Sequence, residues 1–150
     1  MPIRYFAYGS NLWLKQMINR CPDNSLLGKG FLEGYRWIIS KRGYANIVQS
    51  ANDTVIGIVY EIAQSDEREL DCFEGVDNGS YKKEMLDVII TGKRYGCLVY
   101  IDPIIEEGAP KEEYINRINQ GIIDAELPIE YVNRYIRKYV PENIKGDVLQ

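Results

Sequence analysis

The 150-residue sequence predicts an α+β fold: a largely antiparallel or mixed sheet that can curl into a small barrel, with flanking helices. Three features predict it. An early strand runs through a glycine turn into a helix, a run of β-rich segments fills the middle of the chain, and two helical patterns follow the last strand. Strands and helices do not alternate along the chain, which disfavours a doubly wound dinucleotide-binding fold.

Ile3 to Tyr8 is rich in aromatic and β-branched residues and reads as the first strand. Gly9-Ser10-Asn11 is a tight turn, and Leu14, Met17, Ile18 and Cys21 then recur at the spacing of one helix face. Further strands are expected over Phe31 to Ile39, broken at Glu33-Gly34, over Tyr44 to Val48 and over Val55 to Ile62. A short helix over about Asp66 to Phe73 follows, opened by a capping side chain in Ser65-Asp66-Glu67 and ended by Gly75. Asp77-Asn78-Gly79 is a turn, and Tyr81 to Ile90 and Tyr95 to Ile101 form a hairpin around Thr91-Gly92-Lys93-Arg94. The expected sheet therefore has five or six strands. Ile115, Ile118 and Ile122 mark one late helix, and Ile129, Val132, Ile136 and Val140 mark another. Pro110 and Pro128 are placed at first helical positions, and Pro141 stops the last helix.

With 45% hydrophobic and 27% charged residues, no repeat and no linker, the chain reads as one domain. Its apolar runs fall short of the roughly 20 residues a bilayer span needs, and the start has no secretory signal pattern, so no membrane association and a cytoplasmic location are expected. There is no histidine. That removes serine-histidine and cysteine-histidine nucleophile pairs and imidazole proton shuttles, leaving Asp, Glu, Lys, Tyr or Cys for acid-base work. Cys21, Cys72 and Cys97 are far apart and read as small buried thiols, without a metal site or disulfide frame. A net charge of −4 argues against nucleic acid as a partner. Lys41-Arg42 and Lys82-Lys83, the densest basic pairs, read as solvated turns or strand edges.

Two places could carry chemistry. Where the first strand stops at Gly9 and enters a helical turn, free backbone N–H groups of Tyr8-Gly9-Ser10-Asn11-Leu12 converge on one spot and can hold a carboxylate or an oxyanion. The plainer reading is an N-cap at Ser10 or Asn11. Glu74 ends the short helix, where the negative end of the dipole and apolar Phe73 and Val76 disfavour its ionised form and lift its pKa toward the range of a general base. The plainer reading is a solvated surface carboxylate. Tyr81 and Tyr114 can offer hydroxyls to a polar ligand, or pack with a wet tip.

Tyr5-Phe6-Ala7-Tyr8-Gly9-Ser10-Asn11-Leu12 resembles the glycine-turn signature of the gamma-glutamylcyclotransferase family. Gly57-Ile58-Val59-Tyr60, then Leu70-Asp71-Cys72-Phe73-Glu74-Gly75-Val76 and Tyr81, follow in the family's order. Ala109-Pro110 with Tyr114, and Leu127-Pro128-Ile129-Glu130-Tyr131, resemble its C-terminal helical segment. The resemblance implies a small β-barrel with flanking helices, spanning residues 1–150 as one domain. It also implies an enzyme that cyclises a γ-glutamyl group to 5-oxoproline and releases the attached amine or amino acid. The family's catalytic glutamate falls on Glu74 and its substrate loop on Tyr8, Gly9, Ser10, Asn11 and Leu12, with Tyr81 and Tyr114 as further pocket residues. A homodimer is the family expectation. The glutathione-specific branch differs, with leucine where Asn11 stands, which favours γ-glutamyl amino acids or γ-glutamylamines as substrates. Alternatives are a biosynthetic γ-glutamyl-removing enzyme on the same scaffold and a non-catalytic binding module for a small acidic metabolite.

The chemistry agrees with that implication. The substrate's α-amine, mostly protonated near neutral pH, must attack its own γ-carbonyl, so one carboxylate can take the proton and later return it to the leaving nitrogen. Because both reacting groups lie in one small molecule, the protein has to hold a bent conformer and stabilise an oxyanion. No metal or other cofactor is called for.

Overall fold

The computed structural model describes residues 2–143; Met1 and residues 144–150 of the expected domain lie outside it. β1 (Ile3–Ala7) passes through a 3-10 turn (Ser10–Leu12) into α1 (Leu14–Arg20). β2 (Ser25–Ile39) and β3 (Ala45–Ile62) form a long hairpin, and α2 (Gln64–Phe73) follows. β4 (Lys82–Ile90) and β5 (Lys93–Ile101) make a second hairpin. α3 (Glu112–Asp124) and a short α4 (Ile129–Tyr131), which widens into a π-helical turn (Val132–Ile136), come last. Among the described residues no helix is long and apolar enough to cross a membrane.

The strands close into a barrel in the order β1-β3-β2-β4-β5. β1 pairs antiparallel with β3 on one side and parallel with β5 on the other, at Tyr5 opposite Leu98, so the barrel is mixed. Gly30 and Gly57 face each other across β2 and β3, and Phe6, fully buried, lies over both. A Cβ on Gly57 would stand 2.1 Å from the Ala7 carbonyl oxygen and 2.9 Å from the Phe6 ring. These glycines are therefore demanded by close approach of backbone and ring.

The two strands expected over 44–48 and 55–62 are one 18-residue strand, and the strand expected from Phe31 begins six residues earlier, at Ser25. Polar Gln49 to Asp53 hid the continuity, because that stretch lies on a solvated part of the hairpin. The expected break at Glu33-Gly34 is a register shift between Glu33 and Tyr35. The tight turn of the second hairpin is Thr91-Gly92, both at positive φ, while Lys93 and Arg94 already belong to β5.

Helix boundaries differ in similar ways. Ile18 is exposed and lies off the packed face of α1. α2 starts at Gln64, and Asp66 acts from its first turn, its Oδ2 accepting the Ala63 N–H at 3.1 Å. Gly75 is left-handed at φ 64°, as a helix-ending glycine should be. Pro128 is the N-cap of α4 and Pro110 precedes the N-cap Lys111 of α3, so neither proline occupies a first helical position. The last segment is not a uniform α-helix: the Arg137 N–H reaches back five residues to Val132, although Val132, Ile136 and Val140 are buried as expected and Ile129 is exposed. Cys21 and Cys97 are buried, but Cys72 is exposed on the outer face of α2.

Candidate active site

α3 lies across the 3-10 turn through Gly121, where a Cβ would stand 2.8 Å from that of Leu12. Asp124 at its end accepts the Leu14 N–H at 2.9 Å, so a carboxylate from another helix caps α1. This contact seats the start of α3, and with it Tyr114, against Gly9. A Cβ on Gly9 would lie 2.9 Å from the Tyr114 hydroxyl oxygen and 3.0 Å from the Ala45 Cβ.

Ala45, at the start of β3, grips two tyrosines through its backbone. Its N–H donates to the Tyr114 hydroxyl at 3.3 Å, and its carbonyl accepts from the Tyr81 hydroxyl at 2.8 Å. Tyr8 donates to the Tyr100 carbonyl at 2.5 Å, and Tyr5 accepts from the Asn11 amide at 2.9 Å. Together with Gly9, Ser10, Asn11 and Glu74 these tyrosines line a small cavity of about 40 Å³ that opens to solvent. A wider vestibule of about 360 Å³ adjoins it, lined by Arg20, Arg42, Phe73 and Arg117 among others. Ser10, Glu74, Tyr81 and Tyr114 line both.

α2 carries Glu74 to this junction. Leu70 is fully buried, Lys83 of β4 pairs with Glu67 and with Asp71 at 3.1 Å, and Tyr100 donates to Asp71 at 2.7 Å. Glu74 then takes the C-cap position, its N–H bonded to the Leu70 carbonyl at 2.8 Å. Burial among the tyrosines pushes its carboxyl up to about 7, against an opposing pull from the Arg20 charge. Burial also raises the phenols of Tyr5, Tyr8, Tyr81 and Tyr114, the last to about 12, so all four stay protonated near neutral pH.

The structure brings Glu74, Tyr8, Gly9, Ser10, Asn11, Tyr81 and Tyr114 to one cavity. Leu12 does not line it; its side chain is buried under Gly121 of α3, and its N–H bonds to the Gly9 carbonyl at 3.1 Å. Neither Ser10 nor Asn11 caps a helix. The Ser10 Oγ accepts from Gln16 at 2.7 Å, and the Asn11 Oδ1 accepts from Gln16 at 2.9 Å and from Arg20 at 3.2 Å. Asn11 is thus a buried hub that locks the turn to α1. The first N–H groups of the turn have no partner within it, as at any helical start.

The AIG2-like family profile matches residues 54–135. Gamma-glutamylcyclotransferase of Mus musculus is 30% identical over 96% of this chain and 82% of its own length, and that of Homo sapiens is 29% identical over the same shares. The chain belongs to the AIG2-like gamma-glutamylcyclotransferase family. It is an enzyme of gamma-glutamylcyclotransferase type. A solved structure described as gamma-glutamyl cyclotransferase superposes with a TM-score of 0.84 at 28% identity, covering 95% of this chain and 90% of that one. The barrel of this family member is accordingly the one expected from the resemblance.

Sequence reasoning missed Tyr5, Tyr100 and Ala45 of the cavity and the three arginines of the vestibule. Tyr5 and Tyr100 look like ordinary strand residues, and Ala45 acts only through its backbone. Arg20 has a bland explanation as a cation in the last turn of a helix. Arg42 reads in the sequence as part of a solvated turn, whereas it lines the vestibule and pairs with the fully buried Asp102. The signal for it was indirect: a buried aspartate needs a cation or several donors.

Proposed function

We propose that the protein cyclises a γ-glutamyl amino acid or γ-glutamylamine to 5-oxoproline and releases the free amino acid or amine, with Glu74 as the general acid-base. The observation that carries this reading is the position of Glu74. Its carboxyl, lifted to about 7, stands where the tyrosine-walled cavity opens into the vestibule.

In this reading the γ-glutamyl moiety occupies the inner cavity, bounded by Tyr8, Gly9, Ser10, Asn11, Tyr81 and Tyr114. Glu74, about half ionised near neutral pH, accepts a proton from the substrate's α-ammonium group. The freed amine nitrogen attacks the γ-carbonyl carbon, and the charge that develops on the oxygen is met by N–H groups of the Gly9-Ser10-Asn11 turn. When the intermediate collapses, the bond between the γ-carbon and the leaving nitrogen breaks. Glu74 returns its proton to that nitrogen, and the proton still in excess on the ring nitrogen passes to the released amine, which leaves as the ammonium, so no proton is gained or lost overall. The tyrosine hydroxyls of Tyr8 and Tyr81 are engaged by backbone carbonyls, so their part is to shape the cavity and hold it dry.

Release of 5-oxoproline from a panel of γ-glutamyl amino acids, γ-glutamylamines and glutathione tests the reading. Turnover of members of the first two classes is expected. Binding of 5-oxoproline with no turnover of any panel member would contradict it.

A further inference from the structure

Arg20, Arg42 and Arg117 bring three guanidinium groups to the vestibule of a chain whose net charge is −4. Two of them are occupied. Arg117 meets Glu113 at 2.5 Å, one turn earlier on α3. Arg20 lies over the Phe73 ring at 4.4 Å and donates to Asn11.

Arg42 is held differently. Its Nε stands 3.3 Å from the Oδ2 of Asp102, whose side chain is fully buried and also accepts the Ile104 N–H at 2.8 Å. The buried aspartate thus holds the guanidinium by charge, its Nε buried without a hydrogen-bond partner among the described residues, at the edge of the vestibule that the residue lines. The Arg42 loop is rigid by construction. Ser40 N–H bonds to the Tyr44 carbonyl at 3.0 Å, Lys41 N–H to Glu106 at 2.9 Å, and Lys111 N–H to Gly43 at 3.0 Å. A guanidinium on a loop held in this way suits a carboxylate.

We propose that Arg42 is a specificity-determining residue that receives a carboxylate on the leaving-group side of the substrate, so that amino acid or short peptide leaving groups are favoured over simple amines. The inference rests on the reading of Glu74 above: with the γ-glutamyl moiety in the inner cavity and the scissile amide at Glu74, the leaving group extends into the vestibule. The competing role, recognition of the γ-glutamyl group's own α-carboxylate, would serve every substrate equally.

γ-Glutamyl-alanine and γ-glutamyl-ethylamine differ by one carboxylate and separate these roles. Wild-type kcat/KM is expected to favour the alanine compound by about 10- to 100-fold, chiefly through KM, the range of a charge-assisted bidentate contact. Arg42→Gln should bring that ratio toward one, and Arg42→Lys, which keeps the charge facing Asp102 but loses the guanidinium, should fall between. A wild-type ratio of one or less overturns the inference, as does an unchanged ratio in both variants. If Arg42→Gln fails to fold because Asp102 is left buried and unpaired, the wild-type ratio and Arg42→Lys decide. Absence of turnover on both compounds and on the wider panel would overturn the Glu74 reading itself; turnover without preference overturns the arginine assignment alone.

Discussion

The Tyr114 hydroxyl stands in front of Gly9, in the space where a side chain would begin. A Cβ there would be 2.9 Å from the phenolic oxygen, which itself accepts the Ala45 N–H. Gly9 has a negative φ of −116°, so closeness, and not a left-handed backbone, is what restricts this position.

Enlarging Gly9 should therefore damage the site through Tyr114. Gly9→Ala is expected to lower kcat/KM at least tenfold and to cost about 1–3 kcal/mol of stability, the usual range for forcing a methyl group into a packed place. Combining it with Tyr114→Phe removes the clashing oxygen and should restore part of the thermal midpoint. Steady-state kinetics and thermal unfolding of the two variants check this; a Gly9→Ala protein with wild-type kinetics would refute it.

The raised carboxyl of Glu74 has a cost to folding. Its pKa moves from an ordinary 4.5 to about 7 in the folded protein, so between those values the folded state binds more protons than the unfolded chain. Stability contributed by this group is thus fully present below about pH 4.5 and is lost as pH rises through 7. Glu74→Gln should be more stable than wild type by about 1–3 kcal/mol at pH 8 and by almost nothing at pH 4.5. Urea unfolding at the two pH values measures the difference.

Arg20 tunes the same carboxyl. Its charge pulls the Glu74 pKa down against the effect of burial, so Arg20→Gln should raise it further. The acidic limb of the kcat/KM profile, expected to rise with pH and level off above about 7 in wild type, should then break at a higher pH. An unmoved break would show that Arg20 does not act on the base.

Much of this molecule is readable from its sequence, because local rules and tertiary needs agree. Thr91-Gly92 marks a hairpin by turn chemistry, Gly75 ends α2 by its left-handed backbone, and Gly9-Ser10-Asn11 marks the turn that ends β1. Glu74 could be singled out by its place at a helix end, although Phe73 beside it is not what desolvates the carboxyl. Phe73 is exposed, and the desolvation arises where the carboxyl meets the tyrosine cavity. What could not be read depends on contacts between distant segments. Leu12 belongs to the turn by sequence but to the packing of α3 by contact, and Arg42 reads as a surface charge until Asp102, 60 positions later, is seen buried against it. Continuous β3 was hidden for the same reason, since a long hairpin carries polar residues in the middle of a strand.

The most direct test is 5-oxoproline release by Glu74→Gln beside wild type on a γ-glutamyl amino acid that wild type turns over, with folding of the variant verified by circular dichroism. Glutamine keeps the shape and removes the titrating group, so kcat is expected to fall by about 10²- to 10⁴-fold, the usual contribution of a general acid-base. A folded Glu74→Gln protein that releases 5-oxoproline at the wild-type rate would contradict the assignment of proton transfer to this residue.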